Sequence, residues 1–302
     1  MEKAPNYLDP AVLSELKGLS LKARLIVEGF VSGLHKSPHK GFSVEFAEHR
    51  EYVPGDDLRY VDWKVYGKSD RYYLKQYEEE TNFSCYLLVD SSESMKYRSD
   101  NAAVSKLEYA KYIAAALGYL VVKQQDAVGL ATFDREITHF VQASSQPSHL
   151  TRIVEMLESL EPVHETSLGP VLNDLAERIK RRGMAILISD CLTDPDDLFL
   201  GLRHFRYRKH DVSILQIVDP SEEDFPFDTP ALFRGYENGG AQMTDPRNIR
   251  TAYRSEFEGF VKRIRSFCRD RNIDHHLLRT DRSLDRALTA YLSRRMRYVG
   301  RT

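Results

Sequence analysis

Residues 84–94 read SCYLLVDSSES and place a strand candidate directly before a group of polar side chains. The run 84–90 has the length and near-continuous hydrophobicity of a strand that is buried on both faces. Three similar runs follow it, AVGLATF at 127–133, AILISD at 185–190 and VSILQIV at 212–218. Buried strands separated by helical patterns predict an α/β fold with a doubly wound, mostly parallel open sheet.

The remaining elements of this sheet are predicted from the same patterns. HLLRT at 276–280 is a weaker strand candidate, and EITHFV at 136–141 predicts an antiparallel edge partner after a turn at 134–135. The crossovers between parallel strands are expected to be right-handed. Helical periodicity fills the intervals at 104–123, 148–159, 168–181, 195–206, 251–271 and 283–293.

The first 82 residues have a different pattern and predict a separate unit. Apolar residues between Pro10 and Phe30 recur at helical spacing behind Asp9, a candidate cap, and residues 31–82 contain aromatic-rich alternating runs. We therefore predict a small helical and β-rich unit at 1–82 and the α/β domain at 83–302. Within that domain, the Pro-, Gly- and acid-containing stretch 220–246 predicts a loop insertion.

Composition excludes several classes of protein. The 302 residues are 42% hydrophobic and 29% charged, which excludes collagen-like, disordered and disulfide-framework proteins. The longest uncharged apolar stretch, 112–122, is too short to cross a bilayer, so no membrane span is predicted. The N-terminus lacks a secretory pattern, and Cys85, Cys191 and Cys268 have no metal-binding or disulfide spacing. These features predict a cytoplasmic location.

A candidate cation site follows the strand ends. Asp90, Ser92 and Ser94 come after the first strand, Asp190 ends the run at 185–190, and Thr166 lies in a hydroxyl-rich loop before a helix. Carboxyl ends of parallel strands meet at one sheet edge, where open α/β sheets bind ligands. Oxygen donors suit Mg²⁺ first, with Mn²⁺ or Ca²⁺ as alternatives, and leave a position for an incoming carboxylate. The alternative is that the serines and Asp190 only cap helices.

The motifs around these residues resemble a known family. DSSESM (90–95), ETSLGPVL (165–172) and LISD (187–190) resemble the metal-ion-dependent adhesion site of von Willebrand factor A domains. The upstream block GFSVEFAEHREYVPGDDLRYVDWKVYGKSDRYYLKQYEEE (41–80) is similar to the signature of the domain of unknown function 58 (DUF58) family. The chain departs from the adhesion-site pattern at Cys191, where that pattern often has Gly.

The resemblance implies a fold, a ligand set and a partner. It implies a von Willebrand A-like fold and association with AAA+ ATPases of the MoxR type. It also implies a divalent cation held by Asp90, Ser92, Ser94, Thr166 and Asp190.

Three functions compete at this point. The leading hypothesis is a non-catalytic, metal-dependent protein-interaction module, an adaptor of a MoxR-type ATPase in protein assembly or maturation. The rival is a Mg-dependent phosphohydrolase or phosphotransferase that uses Asp90, but Ser92 replaces the second aspartate of an Asp-x-Asp motif. No suitably placed lysine and no Gly-rich phosphate loop support it either. Nucleic-acid binding ranks last because no reader motif is present and the net charge is −2.

Charge is unevenly distributed along the chain. Residues 247–302 contain 15 Lys or Arg and 6 Asp or Glu, whereas 219–245 contain 7 acidic residues and 1 basic residue. The basic segment is either a solvated face or a surface that docks an acidic partner.

Overall fold

The computed structural model describes residues 6–35, 50–51, 73–74, 83–235 and 240–299. The helices are α1 (Pro10–Ser14), α2 (Leu19–His35), α3 (Lys106–Lys123), α4 (Pro147–Glu158), α5 (Leu168–Arg178), α6 (Pro195–Tyr207), α7 (Pro220–Asp224), α8 (Pro246–Asp270) and α9 (Asp285–Val299). The strands are β1 (Arg50–Glu51), β2 (Tyr73–Leu74), β3 (Ser84–Asp90), β4 (Ala127–Phe133), β5 (Ile137–Ser144), β6 (Met184–Ser189), β7 (Asp211–Val218), β8 (Ala231–Arg234), β9 (Ala241–Thr244) and β10 (Asp274–Arg279).

Six strands form the central sheet, in the order β10-β7-β6-β3-β4-β5. Five of them are parallel, and β5 pairs antiparallel with β4 at one edge. The predicted α/β fold with a mostly parallel open sheet is confirmed, as is the antiparallel edge strand. The chain reverses its order of strand addition between β3 and β6, so these two neighbours form the switch point of the sheet.

The two faces of the sheet are covered by different helices. On one face, α5, α6 and α8 pack on the sheet and bury a continuous apolar cluster that includes Leu88, Leu187 and Ile214. On the other face, α3 lies against β3 and contacts α4 and α9. Burial on both sides explains why the strands have no polar alternation. No helix in the described ranges has the length and apolar character needed to span a bilayer.

The N-terminal helices belong to the same compact unit as the sheet, which includes residues up to Phe30 and residues from Phe83 onward. Asp9 caps α1, as predicted, by accepting a hydrogen bond from the Ala11 amide at 2.9 Å. The Leu19 amide donates to Glu158 Oε1 at 2.6 Å. The sequence analysis grouped these helices with residues 31–82 instead.

Residues 31–82 form the second compact unit, in which β1 pairs antiparallel with β2. Most of this unit lies outside the described residues, including most of the block 41–80 that is similar to the family signature. The division at 82/83 and the β-rich character of the unit therefore stay predictions.

The stretch 220–246 is more ordered than the predicted loop insertion. It begins with α7 and continues into an antiparallel hairpin of β8 and β9. The ring of Phe225 lies 4.4 Å from that of Tyr253 on α8 and 5.8 Å from that of Phe233 on β8, measured between centroids. The sequence analysis did not predict this helix and hairpin, and one of the contacts that hold them, Phe225 with Tyr253, joins residues 28 positions apart in the chain.

The crossing of α5 and α6 depends on Gly201, and we predict that Gly201→Ala destabilises the fold. A Cβ at this position would lie 2.5 Å from Leu172 Cβ, which cannot move without shifting the backbone of α5. We expect a loss of about 1 to 3 kcal/mol in urea unfolding. Gly259→Ala in α8 is the control, because a Cβ there meets nothing within 4 Å and should add about 0.5 to 1 kcal/mol. Equal effects of the two substitutions would contradict this packing.

Candidate metal centre

The ends of two neighbouring strands bring the predicted carboxylates together. Asp90 is the last residue of β3, and Asp190 directly follows β6, its parallel neighbour in the sheet. Their side chains are buried, with Asp90 at 0% and Asp190 at 1% exposure. Both carboxylates thus lie at the carboxyl edge of the sheet, beside the switch point.

Hydrogen bonds connect these carboxylates through the two predicted serines. Asp90 Oδ1 accepts from the Ser92 amide at 2.9 Å, and the Ser92 and Ser94 hydroxyls are 3.2 Å apart. Ser94 Oγ donates to Asp190 Oδ2 at 2.8 Å. Ser189, which the sequence analysis did not select, donates its hydroxyl to Asp90 Oδ2 at 2.5 Å. Four of the five predicted site residues therefore form one buried cluster.

Thr166 lies in a loop that borders this cluster. The Glu93 amide donates to the His164 carbonyl at 2.7 Å, and the Ser167 amide donates to the Asp134 carbonyl at 3.3 Å. The loop is thereby fixed beside the short 3-10 helix Glu93–Lys96, which begins between Ser92 and Ser94. A direct contact of Thr166 with the Asp90–Asp190 cluster stays a prediction.

Helix capping does not explain the side chains of Ser92 and Asp190. Ser92 occupies the cap position of the 3-10 helix but makes no side-chain capping bond. Helix α6 is capped by Asp194, whose Oδ1 accepts from the Asp196 amide at 2.8 Å. Asp190 instead accepts from the Leu192 amide through Oδ1 and points Oδ2 towards Ser94.

Lys106 is a further residue of this cluster that the sequence analysis missed. It is the first residue of α3, its side chain is fully buried, and Nζ lies 2.8 Å from Asp190 Oδ2 and 2.6 Å from Glu222 Oε1. Glu222 belongs to α7, and its other carboxylate oxygen accepts from the Asp219 amide in a capping box. Lys106 carries no recognisable phosphotransferase motif in the sequence, and only the fold places it beside the carboxylates.

The charges of this cluster do not balance. Asp190 and Glu222 share the ammonium of Lys106, and Asp90 lies near Asp190, so two negative charges remain among these four groups when all are ionised. Burial, together with the nearby Asp190, raises the pKa of Asp90 to about 7. Burial also raises the pKa of Glu222, against the opposing effect of Lys106. Although burial opposes it, the attraction of Asp190 and Glu222 raises the pKa of Lys106.

The donor set is compatible with a hard divalent cation. Two carboxylates and two hydroxyls are oxygen ligands of the kind Mg²⁺ accepts, and two positive charges would balance the cluster. In the described ranges no three His, Cys, Asp or Glu side chains are arranged as a metal site, so such a cation would rely on the hydroxyls. The ammonium of Lys106 already occupies one side of Asp190 Oδ2.

Cys191, the predicted departure from the adhesion-site pattern, adopts a left-handed backbone with φ of 60°. This conformation favours glycine, so the cysteine carries a local cost. Its side chain is fully buried in the apolar cluster below the site. Burial, with Asp190 and Asp90 nearby, raises the pKa of the thiol well above its usual value, which fits an unreactive group.

Comparisons with known proteins give a family and several relatives. A family model described as "Protein of unknown function DUF58" matches residues 48–265. "Uncharacterized protein Rv1480" of Mycobacterium tuberculosis is 28% identical over 238 residues, which cover 76% of this chain and 73% of that protein.

The comparisons also match solved structures. The conserved hypothetical protein BatB from Bacteroides thetaiotaomicron is 19% identical, with 70% of this chain and 98% of that chain covered and a TM-score of 0.47. The VWA domain of SpRpn10 is 11% identical, with 68% and 93% covered and a TM-score of 0.42.

We predict that Asp90→Asn makes the stability of the metal-free protein less dependent on pH. Because the pKa of Asp90 is about 7 in the folded protein and near 4 when unfolded, ionisation costs folded-state stability as pH rises between these values. The neutral amide avoids this cost, and Ser189 can reorient its hydroxyl to accept from it. Above pH 7 in EDTA, the variant should be more stable than the wild type by about 1 to 3 kcal/mol.

Urea unfolding of both proteins between about pH 4 and pH 8.5 measures this difference. Comparing the two proteins cancels the titration of groups that lie far from Asp90 and are unaffected by the substitution. If the difference in unfolding free energy between the two proteins does not grow with pH, the pKa of Asp90 is not raised in the folded protein.

Proposed function

Since the chain belongs to the family described as protein of unknown function DUF58, we propose that it is a non-catalytic protein-interaction module whose docking point is a divalent cation. The cation, Mg²⁺ in the first place, is held by Asp90, Ser92, Ser94, Thr166 and Asp190. The partner contributes an acidic side chain to an open coordination position. The observation that carries this proposal is the buried cluster at the carboxyl edge of the sheet, in which the negative charges of the carboxylates exceed the single positive charge of Lys106.

The ligand count favours docking. Mg²⁺ prefers six oxygen ligands and keeps those positions that the protein does not fill for water or an incoming group. Two carboxylates and a few hydroxyls leave such positions. A carboxylate from a partner gains a charge interaction there that neutral side chains cannot provide.

Apolar side chains beside the cluster support a protein partner. Leu192, whose amide donates to Asp190, is 39% exposed, and Val163, next to the fixed His164 carbonyl, is 57% exposed. Each large apolar side chain left in water favours association that covers it. We propose that the acidic residue of the partner is flanked by apolar residues that contact Leu192 and Val163.

A MoxR-type AAA+ ATPase is the partner that the family resemblance implies. The sequence contains no GxxxxGK[ST] or GxGxxG loop, so in this proposal the ATPase supplies the nucleotide chemistry. The protein would serve as its adaptor.

One observation supports the alternative function of a phosphohydrolase: the Lys106 ammonium lies 2.8 Å from Asp190. A nucleophilic role for Asp90 is disfavoured, because Ser92 stands where an Asp-x-Asp phosphotransferase has the second aspartate that serves as acid and base. The family model and the relatives reported above name no enzymatic activity.

We predict that the complex with a MoxR-type ATPase of the same organism requires both the cation and the exposed apolar side chains of Leu192 and Val163. In biolayer interferometry with Mg²⁺, replacement of the metal by EDTA or Ser92→Ala should weaken binding at least about tenfold. Leu192→Ser should weaken the complex while leaving Mg²⁺ affinity unchanged, because only its backbone contacts Asp190. Tyr207→Ser is the control, since Tyr207 is 84% exposed and is the last residue of α6, at the opposite end of that helix from the Asp194 cap that follows Leu192.

Two outcomes would contradict this proposal. A complex that forms equally well in EDTA would place the partner elsewhere on the protein. Release of p-nitrophenol from p-nitrophenyl phosphate by the wild type, lost in Asp90→Asn, would favour the phosphohydrolase.

A further inference from the structure

The open edge of β10 lies in a large surface groove. Among the described strands, β10 pairs only with β7 and ends the sheet. All of its residues, Asp274–Arg279, line a groove of about 1170 Å³ that extends to α9. Leu277 and Arg279 also line a second groove of about 610 Å³ between β10 and α8. The two grooves therefore flank the same strand edge.

The backbone of this edge presents a regular set of hydrogen-bonding groups. The Thr280 amide donates to the Val218 carbonyl at 3.0 Å, so Thr280 faces β7. Because the β10–β7 register continues without a shift, the backbone N–H and C=O groups of successive residues of β10 point alternately towards β7 and away from it. The amides and carbonyls of His275, Leu277 and Arg279 therefore point away from β7, as an added strand requires.

Helix α8 places a basic stripe beside this edge. Arg254, Lys262, Arg265 and Arg269 are exposed and line the 610 Å³ groove. Arg254, Lys262 and Arg265 make no ion pair with any residue that the structure describes, and the only ion pair of Arg269, with the adjacent Asp270, is 3.7 Å long. Three of the stripe's cations are thus left to interact with solvent or a ligand.

The acidic residues of the same groove do not cancel this charge. The Arg279 guanidinium lies 2.9 Å from Glu223 and Asp224 and 3.0 Å from Asp281, so its single charge offsets only part of theirs. Five basic and three acidic residues line the groove in total, which leaves the lining net positive. Glu258 is the remaining acidic residue in the lining. Apolar side chains of Phe257, Val261 and Leu277 line the groove as well.

We propose that this groove binds an extended, acidic segment of a protein partner, which adds a strand to β10. Its backbone pairs with His275, Leu277 and Arg279, and its acidic side chains on one face meet the basic stripe of α8. Pairing through the backbone gives affinity, and the charged stripe selects the sequence. Nucleic acid fits less well, because it has no alternating peptide groups and because Phe257 and Val261 would meet phosphate.

This surface is distinct from the cation site, and binding there requires no metal. A peptide that binds equally in Mg²⁺ and in EDTA would support the groove even if the proposed docking function failed. A peptide whose binding disappears in EDTA would belong to the cation site and would overturn the inference.

A fluorescein-labelled octapeptide of alternating Glu and Val tests the proposal on the full chain. Fluorescence anisotropy should detect binding that is at least about tenfold tighter than that of the matched Gln–Val peptide. An octapeptide of alternating Glu and Pro keeps the charge but lacks half of the amides, so it should bind at least about tenfold more weakly. Equal binding of either control, or no binding of the Glu–Val peptide, would overturn the proposal.

Variants and amide exchange separate strand addition from simple charge attraction. Arg265→Glu should weaken binding of the Glu–Val peptide at least about tenfold. Arg181→Glu should not weaken it, because Arg181 is an exposed residue that lies before β6. Bound peptide should slow hydrogen exchange at the amides of His275, Leu277 and Arg279, but leave those of His276 and Leu278 unchanged. Absence of this alternation, or tighter binding of a labelled oligo-dT than of the peptide, would contradict the inference.

Discussion

The ammonium of Lys106, buried between Asp190 and Glu222, is the interaction on which the carboxyl edge of the sheet depends. It joins the start of α3 to the end of β6 and to the cap of α7, three segments that are distant in sequence. Removing one partner of a buried ion pair leaves an uncompensated charge and typically costs about 3 to 5 kcal/mol. Because Asp190 and Glu222 share this ammonium and Asp90 lies near Asp190, the cluster also keeps the negative charge that a divalent cation would balance.

The fold could be predicted from the sequence where a strand is buried on both faces, because such a strand appears as a continuous apolar segment. The run 84–90 coincides with β3 and the run 127–133 with β4, since strands buried on both sides read as continuous apolar segments. Helix α8 begins five residues earlier than the predicted start at 251, because the cap formed by Asp245 before Pro246 was not used in the prediction. The helix and hairpin within 220–246 were not predicted, and one of the contacts that hold them, Phe225 with Tyr253, joins residues 28 positions apart in the chain.

The site could be predicted in part. Convergence of Asp90 and Asp190 follows from the rule that neighbouring parallel strands end at the same edge, and Ser92 and Ser94 follow from their spacing. The pairing of Lys106 with Glu222 could not be found in this way, because 116 residues separate them and the capping box that contains Glu222 does not point to Lys106. Only the fold reveals that the acidic insertion supplies a carboxylate to the edge of the sheet.

The most direct test of the central claim is isothermal titration calorimetry of Mg²⁺ into the purified protein at about pH 7, in two buffers with different ionisation enthalpies. If the cluster binds one cation, the stoichiometry should be one to one. Since the pKa of Asp90 is about 7, binding should also release about half a proton at that pH. Both signals should vanish in Asp90→Ala. Absence of binding by the wild type, or the same binding isotherm in the variant, would contradict the assignment of this cluster as a metal centre.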